Sequence, residues 1–398
     1  MEVDYVVVGA GAAGCVLAHR LSADPAVTVL LLERGGPARH PLLHIPKGFY
    51  RIMQDPRYAY HYAARPPVPG GQAETWLRGK VRGGSTSING MMYARGDAAD
   101  YDALAAAGNP GWSWAEMLPV FRAMEDHHLG ASPQRGSGGP LPVSITPAEG
   151  PVLTAMVEAA AARGVPHVPD VNAVDGERIG GTPVTIRAGR RVSAARAFLG
   201  PVLGRGNLIV ADRTEAGYLL WDGDRVTGVR ARTGRAVRDV RARRAVILAA
   251  GAVETPALLE RSGIGRPDVL TRAGVRTRVE SPNVGERVVE QRAVTVKARL
   301  RDGLGHNPHL DSTAKKLWAG LGYLLTRRGP VATGAYELAA HLRTTPAADR
   351  PDAQLLLTPL LTDDTGLALA DHPGLMLQAY PVRPTTTSSI HLGGRSPT

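Results

Sequence analysis

The chain has 398 residues, 43% of them apolar and 21% charged, with a formal net charge of +11 and a single cysteine, Cys15. At about 100–200 residues per domain, this length suggests two or three domains or one large α/β unit with an insertion, and the apolar share excludes a disordered chain. A lone cysteine excludes an intramolecular disulfide framework and a cysteine-rich zinc site and points to a reducing compartment.

Val3 to Val8 is a β-branched run of strand length. It ends in Gly9-Ala10-Gly11-Ala12-Ala13-Gly14, after which Cys15 to Leu21 reads as a helix. Val27 to Leu32 is a second apolar strand, closed by Glu33. Strands this uniformly apolar are expected to be buried on both faces of a parallel sheet. The longest apolar stretch, Tyr5 to Ala18, is broken by Gly9, Gly11 and Gly14. A membrane span needs about 20 apolar residues in a row. Glu2 and Asp4 stand where a secretory signal carries positive charge. The expectation is a cytoplasmic chain with no transmembrane segment.

The Gly/Pro/Ser-rich stretch from Arg135 to Pro142 marks a domain crossing, and a helix follows from Pro151 to Arg163. Leu208 to Val210 and Ala245 to Ala250 read as buried strands, the latter ending in Gly251. Between them, Arg225 to Arg244 holds eight arginines. Val226, Val229, Ala231, Val240 and Ala242 interleave with these at near period two, which describes strands with one wet face rather than a nucleic-acid surface. All but five of the 47 basic residues are arginines, a skew that a GC-rich coding sequence produces. Leu355 to Thr358 and Gly374 to Tyr380 read as further strands.

The turn Gly9-x-Gly11-x-x-Gly14 follows a strand, opens a helix and has an acid at the end of the next strand. Gly9 permits the tight turn and Gly11 the approach of a pyrophosphate to backbone N–H groups, with Ala12 and Ala13 at the helix start. Gly14 lets the helix pack on the sheet. Glu33, with Arg34 beside it, is placed to accept hydrogen bonds from the adenosine ribose, and its carboxylate disfavours a 2′-phosphate. The turn alone leaves FAD and NAD both open.

The stretch Gly79-Lys80-Val81-Arg82-Gly83-Gly84-Ser85-Thr86-Ser87-Ile88-Asn89-Gly90-Met91-Met92-Tyr93-Ala94-Arg95-Gly96 resembles the first signature of the glucose–methanol–choline (GMC) oxidoreductases. Gly251-Ala252-Val253-Glu254-Thr255-Pro256-Ala257-Leu258-Leu259-Glu260-Arg261-Ser262-Gly263-Ile264-Gly265 resembles the second. Asn109 to Trp114 and Arg191 to Leu199 are similar to further landmarks of that family. The resemblance implies an α/β fold: an FAD-binding, Rossmann-like, doubly wound and mostly parallel sheet with a second substrate domain on an antiparallel sheet. The expected division is 1–135 with 190–288 for FAD and 136–189 with 289–398 for substrate.

It also implies FAD as cofactor and hydride transfer from an alcohol, to an acceptor the sequence does not name. Gly83 and Gly84 would admit a bulky ligand, and Val81, Ser85, Asn89, Gly90, Met91 and Met92 would meet the pyrophosphate and flavin. Val210 matches a position whose backbone meets adenine, and Ala250 and Gly251 pass beneath the cofactor. Some relatives attach the flavin to a histidine where this chain has Ile88, so non-covalent FAD is expected. Two departures stand out. Arg82 replaces an aliphatic residue and would alter the flavin environment, and Glu290-Gln291 replaces a frequent Asp-His pair.

The family's proton-accepting histidine and its partner lie beyond the segment Pro384 to Leu392, so no position here is expected to be catalytic. The alternative is a catalytically silent flavin-binding module or a truncated fragment. Of the twelve histidines, His127-His128 is expected to face solvent. His306-x-x-His309 lacks the further ligands of a metal site.

Overall fold

The opening unit forms as its apolar pattern requires. The computed structural model describes residues 1–66, 70, 71, 73–363 and 368–394. The strand Glu2–Val8 runs into the helix Ala12–Leu21, and Val29–Leu32 returns as a parallel neighbour with Val7 opposite Leu31. Successive strand residues leave opposite faces, so this short segment feeds two cores. Val7 and Leu31 pack with Cys15 and Ala18 of the helix and with Phe198 and Leu199. Val6, Val8, Leu30 and Leu32 pack on the far side with Val229, Val240 and Leu258. Val6, Val7, Val29 and Leu31 are fully buried, each contributing about 1.5–3 kcal/mol by leaving water.

The first sheet has six strands in the order Leu208–Ala211, Val29–Leu32, Glu2–Val8, Ala236–Leu248, Arg225–Thr233, Thr214–Asp222. The first four are parallel, and the last three form an antiparallel meander. The arginine-rich stretch is the centre of that meander. Val229, Ala231 and Val240 are buried, while Arg230 pairs with Asp239 at 2.6 Å, Arg232 with Glu215 at 2.5 Å and Arg243 with Asp4 at 3.0 Å.

The second sheet has five antiparallel strands in the order Val294–Arg299, Gly374–Pro381, Ala353–Thr358, Leu338–Leu342, Arg178–Gly181. Its outer face packs Ile179, Leu338, Ala340 and Leu357 against Leu153, Met156 and Val157 of the helix Pro151–Ala161. Its inner face packs Ala339 and Leu356 with Met92, Tyr336 and Tyr380. The inner face thus roofs the Gly79–Gly96 stretch at Met92.

The stretch after Arg135 turns tightly rather than hanging free. Gly136 and Gly139 press on the backbone of Arg122 and Glu125, where a Cβ would meet Arg122 O at 1.8 Å and Glu125 O at 2.5 Å. Among the described residues no helix is long and apolar enough to cross a membrane.

Candidate functional site

The three glycines of the turn have different physical reasons. Gly9 has φ +100°, and a Cβ on it would lie 2.5 Å from Ala249 O. A Cβ on Gly14 would lie 1.8 Å from Gly9 O. Both glycines are demanded by packing, as close strand–helix approach requires. Gly11 is the opposite case. A Cβ there meets nothing nearer than Ala249 O at 4.0 Å, and its backbone occupies an ordinary extended conformation at φ −77°. Nothing in the chain excludes a side chain at Gly11; the space beyond it is the cavity itself.

That cavity has a volume of about 540 Å³ and is lined by Gly9, Gly11, Ala12, Ala13, Glu33, Arg34, Gly84, Ser85, Ala250 and Gly251 among the residues expected from sequence. It opens at the N-terminus of the helix Ala12–Leu21. Unpaired N–H groups and the helix dipole favour an anion there. Gly251 has φ +88°, with nothing within 4 Å of a Cβ placed on it. The Gly83–Gly84 loop is seated on the turn: Gly83 N–H donates to Ala10 O at 2.7 Å, and a Cβ on Gly84 would lie 2.8 Å from Gly11 Cα. An anion-favouring turn, glycines whose missing side chains leave open volume and an acid at the second strand's end together fit the adenosine-diphosphate half of FAD.

Glu33 is 7% exposed. Its carboxylate accepts Ala10 N–H at 2.9 Å through one oxygen and Gly35 N–H at 2.7 Å through the other. Burial pushes the carboxyl up to about 7; the two N–H donors and Arg82 oppose that shift, while Asp212 adds to it. Each oxygen keeps a lone pair for a ligand hydroxyl. Arg34 pairs with Glu215 at 3.2 Å and lies over the Tyr60 ring at 5.2 Å.

The remaining expected residues stand behind or beside this wall. Val81 is fully buried and bridges to Gly36. Gly14 and Gly83 carry packing, and Met91 is buried with φ 65°. Asn89 accepts Met91 N–H at 3.1 Å and Arg191 Nη1 at 2.7 Å through its side-chain oxygen. Gly90 leads to Met92, which packs on the second sheet and bridges to Val184 of the separate short strand Pro183–Val184. Val210 lies on the edge strand and packs on the core; Thr214, Glu215 and Ala216 of the next strand line the cavity in its place.

Two expectations are corrected. Arg82 does not enter the cavity: its guanidinium turns away to grip Asp212 by two bonds of 2.5 Å. A charged side chain is tolerated at this position because a carboxylate meets it at the next strand's end. His127 is not solvent-facing. It is 4% exposed and lies 3.5 Å from Asp170, because Glu125–His127 is a strand pairing with Leu141–Ile145; burial lowers its affinity for a proton. Only His128 is exposed. Glu290, of the replaced pair, lies 3.7 Å from Arg78.

Sequence reasoning missed Tyr60, Tyr62 and Arg78 of the hairpin Ala59–Ala64/Glu74–Gly79, all of which line the cavity. The Tyr-x-Tyr alternation put both rings on one face and was the available signal. Tyr62 donates to Glu254 at 2.7 Å, and Arg261 lies 3.4 Å from the same carboxylate. Both of these charged residues belong to the helix Gly251–Arg261. No histidine lines the cavity, and no group of three or more potential metal ligands occurs, among the described residues.

Residues 3–306 match the family described as GMC oxidoreductase. The whole chain aligns with 72% of an "Oxygen-dependent choline dehydrogenase" of Brucella anthropi at 34% identity. It aligns with 68% of the human "Choline dehydrogenase, mitochondrial" at 36% identity. Among solved structures, pyridoxine 4-oxidase from Mesorbium loti superposes with a TM-score of 0.88 at 31% identity, covering 99% of this chain and 74% of that one. An Aspergillus oryzae formate oxidase variant superposes with a TM-score of 0.89 at 25% identity, covering 100% and 75%.

Proposed function

Because the chain belongs to the GMC oxidoreductase family, an FAD-dependent family acting on the CH–OH groups of alcohols, we propose that its 540 Å³ cavity is the FAD site. The carrying observation is Gly11: a glycine that no neighbour requires, at a helix N-terminus, facing open volume. The main-chain N–H groups from Gly11 to Ala13 hold the pyrophosphate, and Glu33 takes the ribose. Tyr60, Tyr62 and Arg34 wall the adenosine side, and Ser85 with the loop to Met92 takes the flavin side. Bound FAD supplies the hydride acceptor for the carbinol carbon of the alcohol. Ile88 offers no nucleophile for attachment, which supports non-covalent binding.

The division into an FAD unit (1–135, 190–288) and a substrate unit (136–189, 289–398) is part of this proposal. Val192 to Val202 packing under the nucleotide sheet and Arg178–Gly181 pairing in the second sheet support it. The acid-paired arginines of the meander support a solvated surface with no nucleic acid. The lone buried Cys15 supports a cytoplasmic location. We assign the base to no residue of this chain. Choline and pyridoxine, named for two of the relatives, are the first alcohols to test.

The experiment is direct. Purified protein reconstituted with FAD is expected to show a protein-bound flavin spectrum, and anaerobic choline or pyridoxine then reads whether this chain reduces the flavin without an assigned base. A folded preparation that takes up no FAD overturns the site assignment.

A further inference from the structure

Most of the buried arginines carry their own acid. Arg95 pairs with Glu125 and Arg178 with Asp97 at 3.1 Å. Arg191 does not. It is 1% exposed, and among the described residues no carboxylate stands within ion-pairing distance. Its guanidinium is held by neutral groups of the first signature alone. Nη1 donates to Thr86 O at 3.2 Å and to Asn89 Oδ1 at 2.7 Å, and Nη2 to Asn89 O at 2.6 Å. Nε is buried with no partner. Desolvation pulls this guanidinium down to about 9. Burying an unpaired charge costs several kcal/mol, a cost that neutral carbonyls offset only in part.

The location says what the charge faces. Thr86 and Ser85 line the cavity, while Arg191 grips the backbone of the same loop. The surrounding run holds the loop from the same side: Ala194 N–H donates to Thr86 Oγ1 at 3.0 Å, and a Cβ on Gly83 would lie 3.3 Å from Ser193 Oγ. The motif Arg191 to Leu199, to which the sequence assigned no role, is a clamp on the cofactor loop. In a trans peptide C=O and N–H point opposite ways. Carbonyls drawn onto the guanidinium therefore turn the N–H groups of Ser87 and Gly90 away from it.

We infer that Arg191 is the buried counter-charge of bound FAD, a positioning residue acting through the peptide groups of Thr86 to Asn89. This rests on the reading of the cavity as the FAD site. A cation one peptide layer behind the wall favours an anionic diphosphate. It also favours the reduced flavin, which gains negative charge, over the oxidised one. Arginine is required over lysine because two carbonyls and an amide oxygen are held at once by a planar fork.

The test compares wild type with R191M, R191Q and R191K, each checked for folding by thermal melt. FAD dissociation constants are read by titrating apoprotein, and midpoint potentials by dye-coupled reduction. The neutral variants are expected to bind FAD at least tenfold more weakly. They are also expected to lower the two-electron potential by about 30 mV, the equivalent of about tenfold in that equilibrium. R191K, which keeps the charge and loses the fork, is expected to weaken binding while holding the wild-type potential. A folded neutral variant with wild-type potential overturns the inference. If neither neutral variant folds, R191K decides, and a potential lowered by about 30 mV in that variant overturns it equally. Failure of wild type itself to bind FAD overturns the site reading and this inference together, whereas a wild type that binds FAD beside indifferent variants overturns this inference alone.

Discussion

Glu33 and Glu337 are both carboxylates buried at the ends of strands, at 7% and 3% exposure, yet the two halves of the molecule hold them differently. Glu33, on the nucleotide sheet, is held by main-chain N–H groups of Ala10 and Gly35. Glu337, at the start of the inner strand Leu338–Leu342 of the second sheet, is met by Lys47 at 3.6 Å and His306 at 3.7 Å. Burial works against ionisation at both. Lys47, with a hydrogen bond from His306, holds the Glu337 carboxyl below the usual range, whereas Glu33 rises to about 7.

The pattern extends beyond these two residues. On the second sheet Tyr380 donates to Gln354, Gln354 lies 3.0 Å from His341, and Tyr336 donates to Gln378. At these positions the first sheet meets its buried carboxylate with backbone N–H groups, whereas the second sheet meets its polar groups with side chains. Backbone donors aimed by a turn are suited to a ligand that every relative shares. Side-chain networks can be exchanged residue by residue, as the proposed substrate unit would require.

The largest test of this contrast is G14A, whose new Cβ would sit 1.8 Å from Gly9 O. Backbone overlap in a packed turn is expected to cost about 3–5 kcal/mol, read as a collapse of the thermal transition in the absence of any ligand. E337A on the other half strips Lys47 of its partner and is expected to cost about 3 kcal/mol. The double variant K47M/E337A is expected to recover much of that loss in chemical denaturation. A double variant as unstable as the single one breaks the ion-pair account.

The pH dependence of Glu33 comes next. Its folded carboxyl titrates near 7, above the ordinary 4.5, so the fold disfavours the charged form, and the penalty disappears as pH falls. Apoprotein stability relative to E33Q is therefore expected to rise by up to about 3 kcal/mol between pH 8 and pH 5. A flat difference across that range removes the claim that burial governs Glu33.

The smallest effect on the fold is the most discriminating. G11A introduces a methyl that meets nothing in the chain within 4.0 Å. Apoprotein stability is expected to stay within about 0.5 kcal/mol of wild type, while FAD affinity drops at least tenfold. Loss of stability in G11A would show that this glycine serves packing, like Gly14.

The nucleotide half was legible because its requirements are local. Val3 to Val8, the spacing of Gly9, Gly11 and Gly14, and Glu33 lie within one crossover, and their roles follow from the reach of a strand, a turn and a helix. The wet-faced strands at Arg225 to Arg244 were legible for the same reason, since period two is a local signal. Tertiary structure alone decided the rest. Arg82 turns to Asp212, 130 residues away along the chain, and Arg191 crosses 102 residues to Asn89. His127 is buried because a strand pairs beside it, and Tyr60 and Tyr62 reach the cavity because a hairpin folds over it. A side chain's partner is set by which segments the fold brings within a few ångströms, and no spacing within one segment encodes that.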